Sequence, residues 1–187
     1  MKIRCEWATK TEHEKLYHDT EWGTPLHNDR SLFEFITLEG AQAGLSWSTI
    51  LLKREGYRKA FDNFDIKKIA NYDEEKINSL VTNPQIIRNK LKIRSTVTNA
   101  IATLEVIEEF GSLDNYLWNF VNHKTITNSW KTKFDVPNST SISDKMSKDL
   151  KKRGFKFVGT TICYAFMQAT GMVNDHTSNC FLYKKNN

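Results

Sequence analysis

Lys151-Lys152-Arg153-Gly154-Phe155-Lys156-Phe157-Val158-Gly159-Thr160-Thr161 is the stretch that decides the fold. Just upstream, Ser143-Asp144 opens a helix that runs through Leu150. Downstream, Ile162, Cys163, Ala165, Phe166 and Met167 form an apolar helical segment that Thr160 or Thr161 can cap. Gly154 and Gly159, five apart (159 minus 154), bracket a short hairpin. The local order is therefore helix, glycine-framed hairpin, helix. Such a hairpin exposes backbone N–H groups at a helix N-terminus, here Gly159 and Thr160, and that is a ready phosphate site. Lys151, Lys152, Arg153 and Lys156 surround it, and such cations supply sequence-independent affinity for a DNA backbone. The plainer reading is a solvated basic turn between two packed helices; glycines and cations together favour phosphate contact. Arg88, Lys90 and Lys92 form a second basic group that could join the same face.

Outward from the hairpin, helices recur with short polar joints. Ser31 and Glu34 make a capping box ahead of the apolar run Leu32, Phe33, Phe35, Ile36 and Leu38, whose spread around the helix means burial. A second helix is expected from Trp47 to Arg54, stopped near Gly56. Asp65 and Asp73 read as N-caps, and Asn83-Pro84 as a cap followed by Pro at the first helical position. From Lys90 to Phe110, Ile93, Val97, Ala100, Ile101, Leu104 and Ile107 form a stripe at helical spacing, ended by Gly111. Ser112 caps another helix, and the polar stretch 122–140 reads as a surface connection. No alternating strand pattern persists, so the fold class is all-α.

Composition sets the outer bounds. The chain has 187 residues, enough for one domain with a real core, at 39% hydrophobic and 26% charged residues. No run approaches the roughly 18 apolar residues of a membrane span. The N-terminus Met1-Lys2-Ile3-Arg4-Cys5-Glu6 has no apolar secretory core, so a cytoplasmic protein is expected. The net charge of +5 fits an anionic partner such as nucleic acid, without requiring one. Nothing calls for an obligate oligomer, and a monomer is expected.

Two constellations carry chemistry. The first is Leu38-Glu39-Gly40-Ala41-Gln42-Ala43-Gly44-Leu45-Ser46-Trp47. Glu39 is a lone carboxylate on an apolar helix, costly to bury without a partner or a task. Gly44 breaks the helix and leaves Leu45 and Trp47 just past the break, giving a pocket acid beside an exposed apolar tip. A solvated helix end and a core Trp would be the plainer account.

The second constellation joins the chain ends. His176 and Cys180 are four apart (180 minus 176), on one face of a helical turn, while Cys5 and His18 lie thirteen apart (18 minus 5). Zinc takes such a Cys2His2 set tetrahedrally, and four protein ligands leave no open position, so the metal would be structural. His13, His27 and His123 compete as ligands. Cys163, inside an apolar helix, reads as a small buried hydrophobe. Asp175 could orient a liganding imidazole or cap a helix.

These features meet in one resemblance. Arg4-Cys5-x-Trp7, Tyr17-His18-Asp19-x-Glu21-Trp22-Gly23, Leu38 to Trp47, Phe120-Val121-Asn122-His123, Leu150 to Tyr164 and Val173-Asn174-Asp175-His176 occur in order across nearly the whole chain. They closely resemble the bacterial 3-methyladenine DNA glycosylase I family. The resemblance implies a helix-hairpin-helix glycosylase fold over a single module, with 143–171 as the motif. It implies one structural zinc on Cys5, His18, His176 and Cys180, tying segments 1–30 and 172–187. It implies that Tyr17, Glu39 and Trp47 line a base pocket, with Trp22 and Tyr164 as further candidates. It also implies that the Gly44-Leu45 tip enters alkylated double-stranded DNA. Ala165 departs from the small polar residue of relatives. The catalytic Asp of most helix-hairpin-helix glycosylases has no counterpart after Gly159.

The expected chemistry is capture. N3-methylation makes the base cationic within its nucleotide, so it leaves as a neutral molecule and needs little acid catalysis. Aromatic faces at Tyr17 and Trp47 would stack on the flipped base, and Glu39, the candidate catalytic residue, would accept from its exocyclic amine. No Lys nucleophile is identified, so no strand cleavage is expected. The rivals are a zinc-stabilised DNA-binding module without activity and a zinc hydrolase.

Overall fold

The computed structural model describes residues 2–183. It is mostly helical, with nine α-helices among the described residues and one two-stranded ladder of two residues a side. Helix α1 spans Glu12–Thr20, α2 Asp29–Gln42 and α3 Trp47–Ala60. The short α4 (Ile66–Ala70) and α5 (Glu74–Thr82) lead to the longest helix, α6 (Lys90–Phe110), followed by α7 (Leu113–Trp118). Helices α8 (Ser141–Lys152) and α9 (Thr160–Ala169) flank the glycine-framed stretch. Strands β1 (Ile126–Thr127) and β2 (Val173–Asn174) pair in parallel. No described helix is long and apolar enough to cross a membrane.

Helix α2 is the axis of the core. Its Leu32, Phe33, Phe35, Ile36, Leu38 and Ala41 are all buried, on every side of the helix. It packs against α3, α6, α7 and α9. A helix apolar around its circumference has no solvent face to spend, so it goes to the centre. That is how Glu39, 4% exposed, reaches the interior.

Several starts and stops fall where local chemistry sets them. The side chains of Asp65, Asp73 and Ser112 each accept from the backbone N–H three residues on. Gly111 ends α6 in the left-handed region at φ 85°. Others differ from expectation. The cap of α2 is Asn28, which accepts from Ser31 N, so Ser31 lies inside the helix. A long helix seeded at Asn28 gains a further turn against the core. Helix α3 runs through Gly56 to Ala60, because Gly56 is there for contact: a Cβ would meet Gln85 O at 2.3 Å. Asn83-Pro84 starts no helix; Asn83 Oδ1 accepts from Gln85 N in a local turn. On α6 the stripe is rotated. Ile101 is 46% exposed, while Ser95, Thr96, Asn99 and Thr103 are buried beside Ile93 and Ala100. Their polar atoms find helix and hairpin carbonyls, which removes the cost of burying them.

The hairpin is pinned from within. Phe155 and Val158 are buried, and Gly154 turns at φ 92°. Buried Asn99 of α6 clamps the Lys156 peptide, donating to its carbonyl at 3.0 Å and accepting from its N–H at 2.7 Å. A Cβ on Gly40 would stand 3.2 Å from the Phe157 Cβ, so the hairpin rests on the helix that carries Glu39.

Candidate functional site

A cavity of about 390 Å³ opens between α1, α2, α3 and α9. Tyr17 and Glu14 of α1, Glu39 and Gln42 of α2, and Trp47 of α3 line it, with Trp7, Trp22, Ala165 and Gln168. Its aromatic groups form a chain: Trp22 to Trp7 at 5.0 Å between centroids, Trp7 to Tyr17 at 6.3 Å, Tyr17 to Trp47 at 5.4 Å. Tyr17 comes from α1, Trp7 and Trp22 flank that helix on either side in the chain, and Trp47 opens α3 just past the turn at Gly44, φ 78°.

Three polar groups converge here without protein partners. Tyr17 OH and Trp47 Nε1 are buried and make no hydrogen bond. Burial alone pushes the Glu39 carboxyl up to about 8, with no cation or donor acting against it. Burial, reinforced by the charge of Glu39, also raises the Tyr17 phenol. Unpartnered buried donors and acceptors are costly, so their meeting at one opening points to a ligand that satisfies them.

Tyr164 is elsewhere. It is buried, and its hydroxyl donates to Asp175 Oδ2 at 2.6 Å. Asp175 also accepts from Gln168 at 2.8 Å, Asn128 at 2.7 Å and Trp130 at 2.8 Å. Asp175 therefore neither orients an imidazole nor caps a helix; it is the knot that holds the 128–130 segment to α9. The imidazole partner is Asp19, 2.9 Å from His18 Nδ1. Asp19 is held at about 2 by the Arg4 guanidinium, which donates twice, at 2.8 and 2.7 Å.

Cys5, His18, His176 and Cys180 are all buried, their ligand atoms within 4.8 Å of one another, and together they could hold a metal ion. His13, His27 and His123 are not part of the group. The sulfur–nitrogen separations test the fit. They are 3.6 Å from Cys5 Sγ to His176 Nδ1, and 3.5 Å from Cys180 Sγ to both His176 Nδ1 and His18 Nε2. Ligands at tetrahedral angles on zinc, with bonds of about 2.3 Å to sulfur and 2.0–2.1 Å to nitrogen, stand about 3.5 Å apart. The donor set fits. His176 precedes a turn over 177–180, closed by Cys180 N donating to Thr177 O at 2.7 Å, in place of the helical turn expected. Trp22 joins this group to the cavity: it lines the cavity and stands perpendicular to His176 at 4.8 Å.

At the hairpin, no side chain caps the N-terminus of α9 at Gly159. Thr160 is engaged instead with Ser143 at 2.9 Å and Asp144 at 2.5 Å. Lys151, Lys152 and Lys156 are exposed. Arg153 is not a free cation: it pairs with Glu109 and Asp149 and lies over the rings of Phe110 and Tyr116. Lys92 is also committed, donating to Ala41 O at 2.8 Å and Ala43 O at 2.6 Å at the end of α2. Leu45 is 41% exposed at the tip beyond.

Sequence reasoning missed Glu14, Gln42 and Gln168 as cavity residues, and Asp19 with Arg4 as the brace of His18. Glu14 was findable, one turn before Tyr17 on α1. The others depend on contacts between distant segments.

Comparison with known proteins settles the class. Residues 7–183 match the family profile described as methyladenine glycosylase. The chain belongs to the methyladenine glycosylase family, and is accordingly an enzyme, a glycosylase that hydrolyses N-glycosyl bonds. More particularly, it is 49% identical over 183 residues to DNA-3-methyladenine glycosylase 1 of Escherichia coli K12, covering 98% of each chain. It is similar to a crystal structure of 3-methyladenine DNA glycosylase I at 48% identity and TM-score 0.92, covering 96% of this chain and 98% of that one. The Staphylococcus aureus enzyme, solved for the structural basis of 3-methyladenine recognition, matches at 35% identity and TM-score 0.92 over 95% of both chains.

Proposed function

We propose that the chain excises 3-methyladenine from alkylated double-stranded DNA by hydrolysing the N-glycosidic bond, leaving an abasic site without cutting the strand. The observation that carries this reading is the meeting of Tyr17 OH, Trp47 Nε1 and the Glu39 carboxyl, all lacking partners, at one buried aromatic cavity.

The damaged base leaves the stack and enters this cavity, at a cost of a few kcal/mol. Tyr17 and Trp47 receive it, and Trp22 closes the wall. In the empty cavity Glu39 holds a proton at neutral pH. A cationic base restores a counter-charge, so the carboxyl gives its proton to solvent and accepts from the exocyclic amine. Neutral adenine brings no such charge. As the glycosidic bond breaks, the base carries both bonding electrons away as a neutral molecule. Water adds to the sugar carbon and loses a proton. Glu39, again beside a neutral group, regains its proton, which loosens the product.

The α8–hairpin–α9 unit is a helix-hairpin-helix within 143–171. Gly159 and Thr160 with Lys151, Lys152 and Lys156 meet the phosphates, and Arg153 holds the hairpin's shape. The Gly44-Leu45 tip fills the space the base leaves. Zinc on Cys5, His18, His176 and Cys180 would tie 1–30 to 172–187 and supply stability, not a reaction step; residue 1 and residues 184–187 lie outside the described part. The whole is one module, acting as a monomer.

Free-base release from randomly methylated duplex DNA tests the reading. Selective release of 3-methyladenine with 7-methylguanine retained supports it. Binding without release by a folded, metal-loaded chain would replace it with a DNA-binding module.

A further inference from the structure

The base-pocket reading uses one buried carboxyl, and the same cavity is lined by two more: Asp175, whose oxygens are taken by four donors, and Glu14. Glu14 of α1 lines it and is 6% exposed. It precedes Tyr17 by one helical turn, so both point from the same face of α1. Its two oxygens each take a hydroxyl donor: Thr11 Oγ1 at 3.2 Å, and Ser48 Oγ from the first turn of α3. Ser48 follows Trp47, whose ring meets Tyr17 at 5.4 Å. The Ser48–Glu14 bond thus ties together the two helices that carry the aromatic wall.

The charges around the cavity are unequal in weight. Its lysines, Lys10 and Lys133, are exposed, and Lys133 is already paired with Glu6. Water screens an exposed charge, whereas a buried one acts at a much lower effective dielectric constant. Glu14 therefore places a second carboxylate, held by Thr11 and Ser48, at the wall of the cavity.

We infer that Glu14 is a specificity-determining residue: its carboxylate favours cationic over neutral bases in the cavity, while its bond to Ser48 sets the spacing of Tyr17 and Trp47. The inference rests on the cavity being the base pocket. It makes the preference for a charged lesion a property of two acids on two helices.

Two probes separate the roles. One is a duplex carrying 3-methyladenine, read as single-turnover excision. The other carries its neutral isostere, with N3 replaced by carbon, read as binding. Glu14→Gln keeps the shape and removes the charge. Expected is a loss of about tenfold on the cationic lesion, about 1.4 kcal/mol, with affinity for the neutral duplex unchanged. Ser48→Ala, which keeps the charge and frees the wall, lowers both by a similar factor. Equal losses for Glu14→Gln on both probes, or none on either, overturn the inference. Failure of the wild type to excise the cationic lesion would instead overturn the base-pocket reading.

Discussion

Tyr17 and Trp47 meet across the cavity with ring centroids 5.4 Å apart and planes tilted by 50°, and neither polar atom has a partner. In a finished core each would have found one. Two aromatics left in this state on different helices form the wall of the proposed base pocket.

The Tyr17 hydroxyl tests this directly. Tyr17→Phe removes an unsatisfied buried group, so the free protein should gain about 1 kcal/mol in urea unfolding. Excision should fall all the same. Trp47→Ala should cost more, about 1–3 kcal/mol of base capture, seen as weaker inhibition by free 3-methyladenine.

Glu39 makes stability depend on pH. Its folded value near 8 lies above the ordinary 4.5. The folded state therefore binds the proton more tightly, and stability is fully present below about 4.5 and declines as pH rises towards about 8. By pH 7 the decline amounts to about 3 kcal/mol. Urea unfolding from pH 5 to 9 should show it in the wild type and not in Glu39→Gln, which should also lose most of its excision activity. A flat wild-type profile would remove the buried acid from the account.

The Cys2His2 group predicts one zinc per chain by elemental analysis. Chelation should lower the melting temperature by more than about 10 °C, since a structural metal contributes folding free energy directly. Cys180→Ser should do the same without chelator. Activity should follow the folded fraction, because no reaction step passes through the metal.

The cations near the hairpin should separate. Lys156→Ala should reduce the slope of log affinity against log salt by about 0.9, the loss of one phosphate contact. Arg153→Ala should leave the slope unchanged and lower the melting temperature, because its guanidinium is held by Glu109 and Asp149.

Gly56→Ala isolates packing from chemistry. Its Cβ would lie 2.3 Å from Gln85 O, a backbone atom that cannot rotate away. A loss of about 3 kcal/mol is expected, with excision intact below the transition.

Features carried by neighbours in the chain were legible in the sequence alone. Asp65, Asp73 and Ser112 cap helices because a short side chain reaches an N–H three residues away, whatever the rest of the chain does. The apolar residues spread around α2 dictated burial of Glu39, and Gly154 marked the turn after α8, at φ 92°. Cys5, His18, His176 and Cys180 could be named from residue type before any distance was known. Tertiary structure alone decided the rest. Arg153 and Lys92 look like free cations in sequence; Asp149 is a near neighbour of Arg153, but Glu109 lies 44 residues from it, and the carbonyls of Ala41 and Ala43 lie 51 and 49 residues from Lys92. Tyr164 belongs to Asp175 and not to the cavity, and His18 to Asp19 braced by Arg4. Gly56 stops no helix, because the Gln85 backbone needs its missing side chain. Caps, turns and burial periodicity are local balances of hydrogen bonding and solvation. Which polar group satisfies which other depends on how the helices pack, and packing is a property of the whole chain.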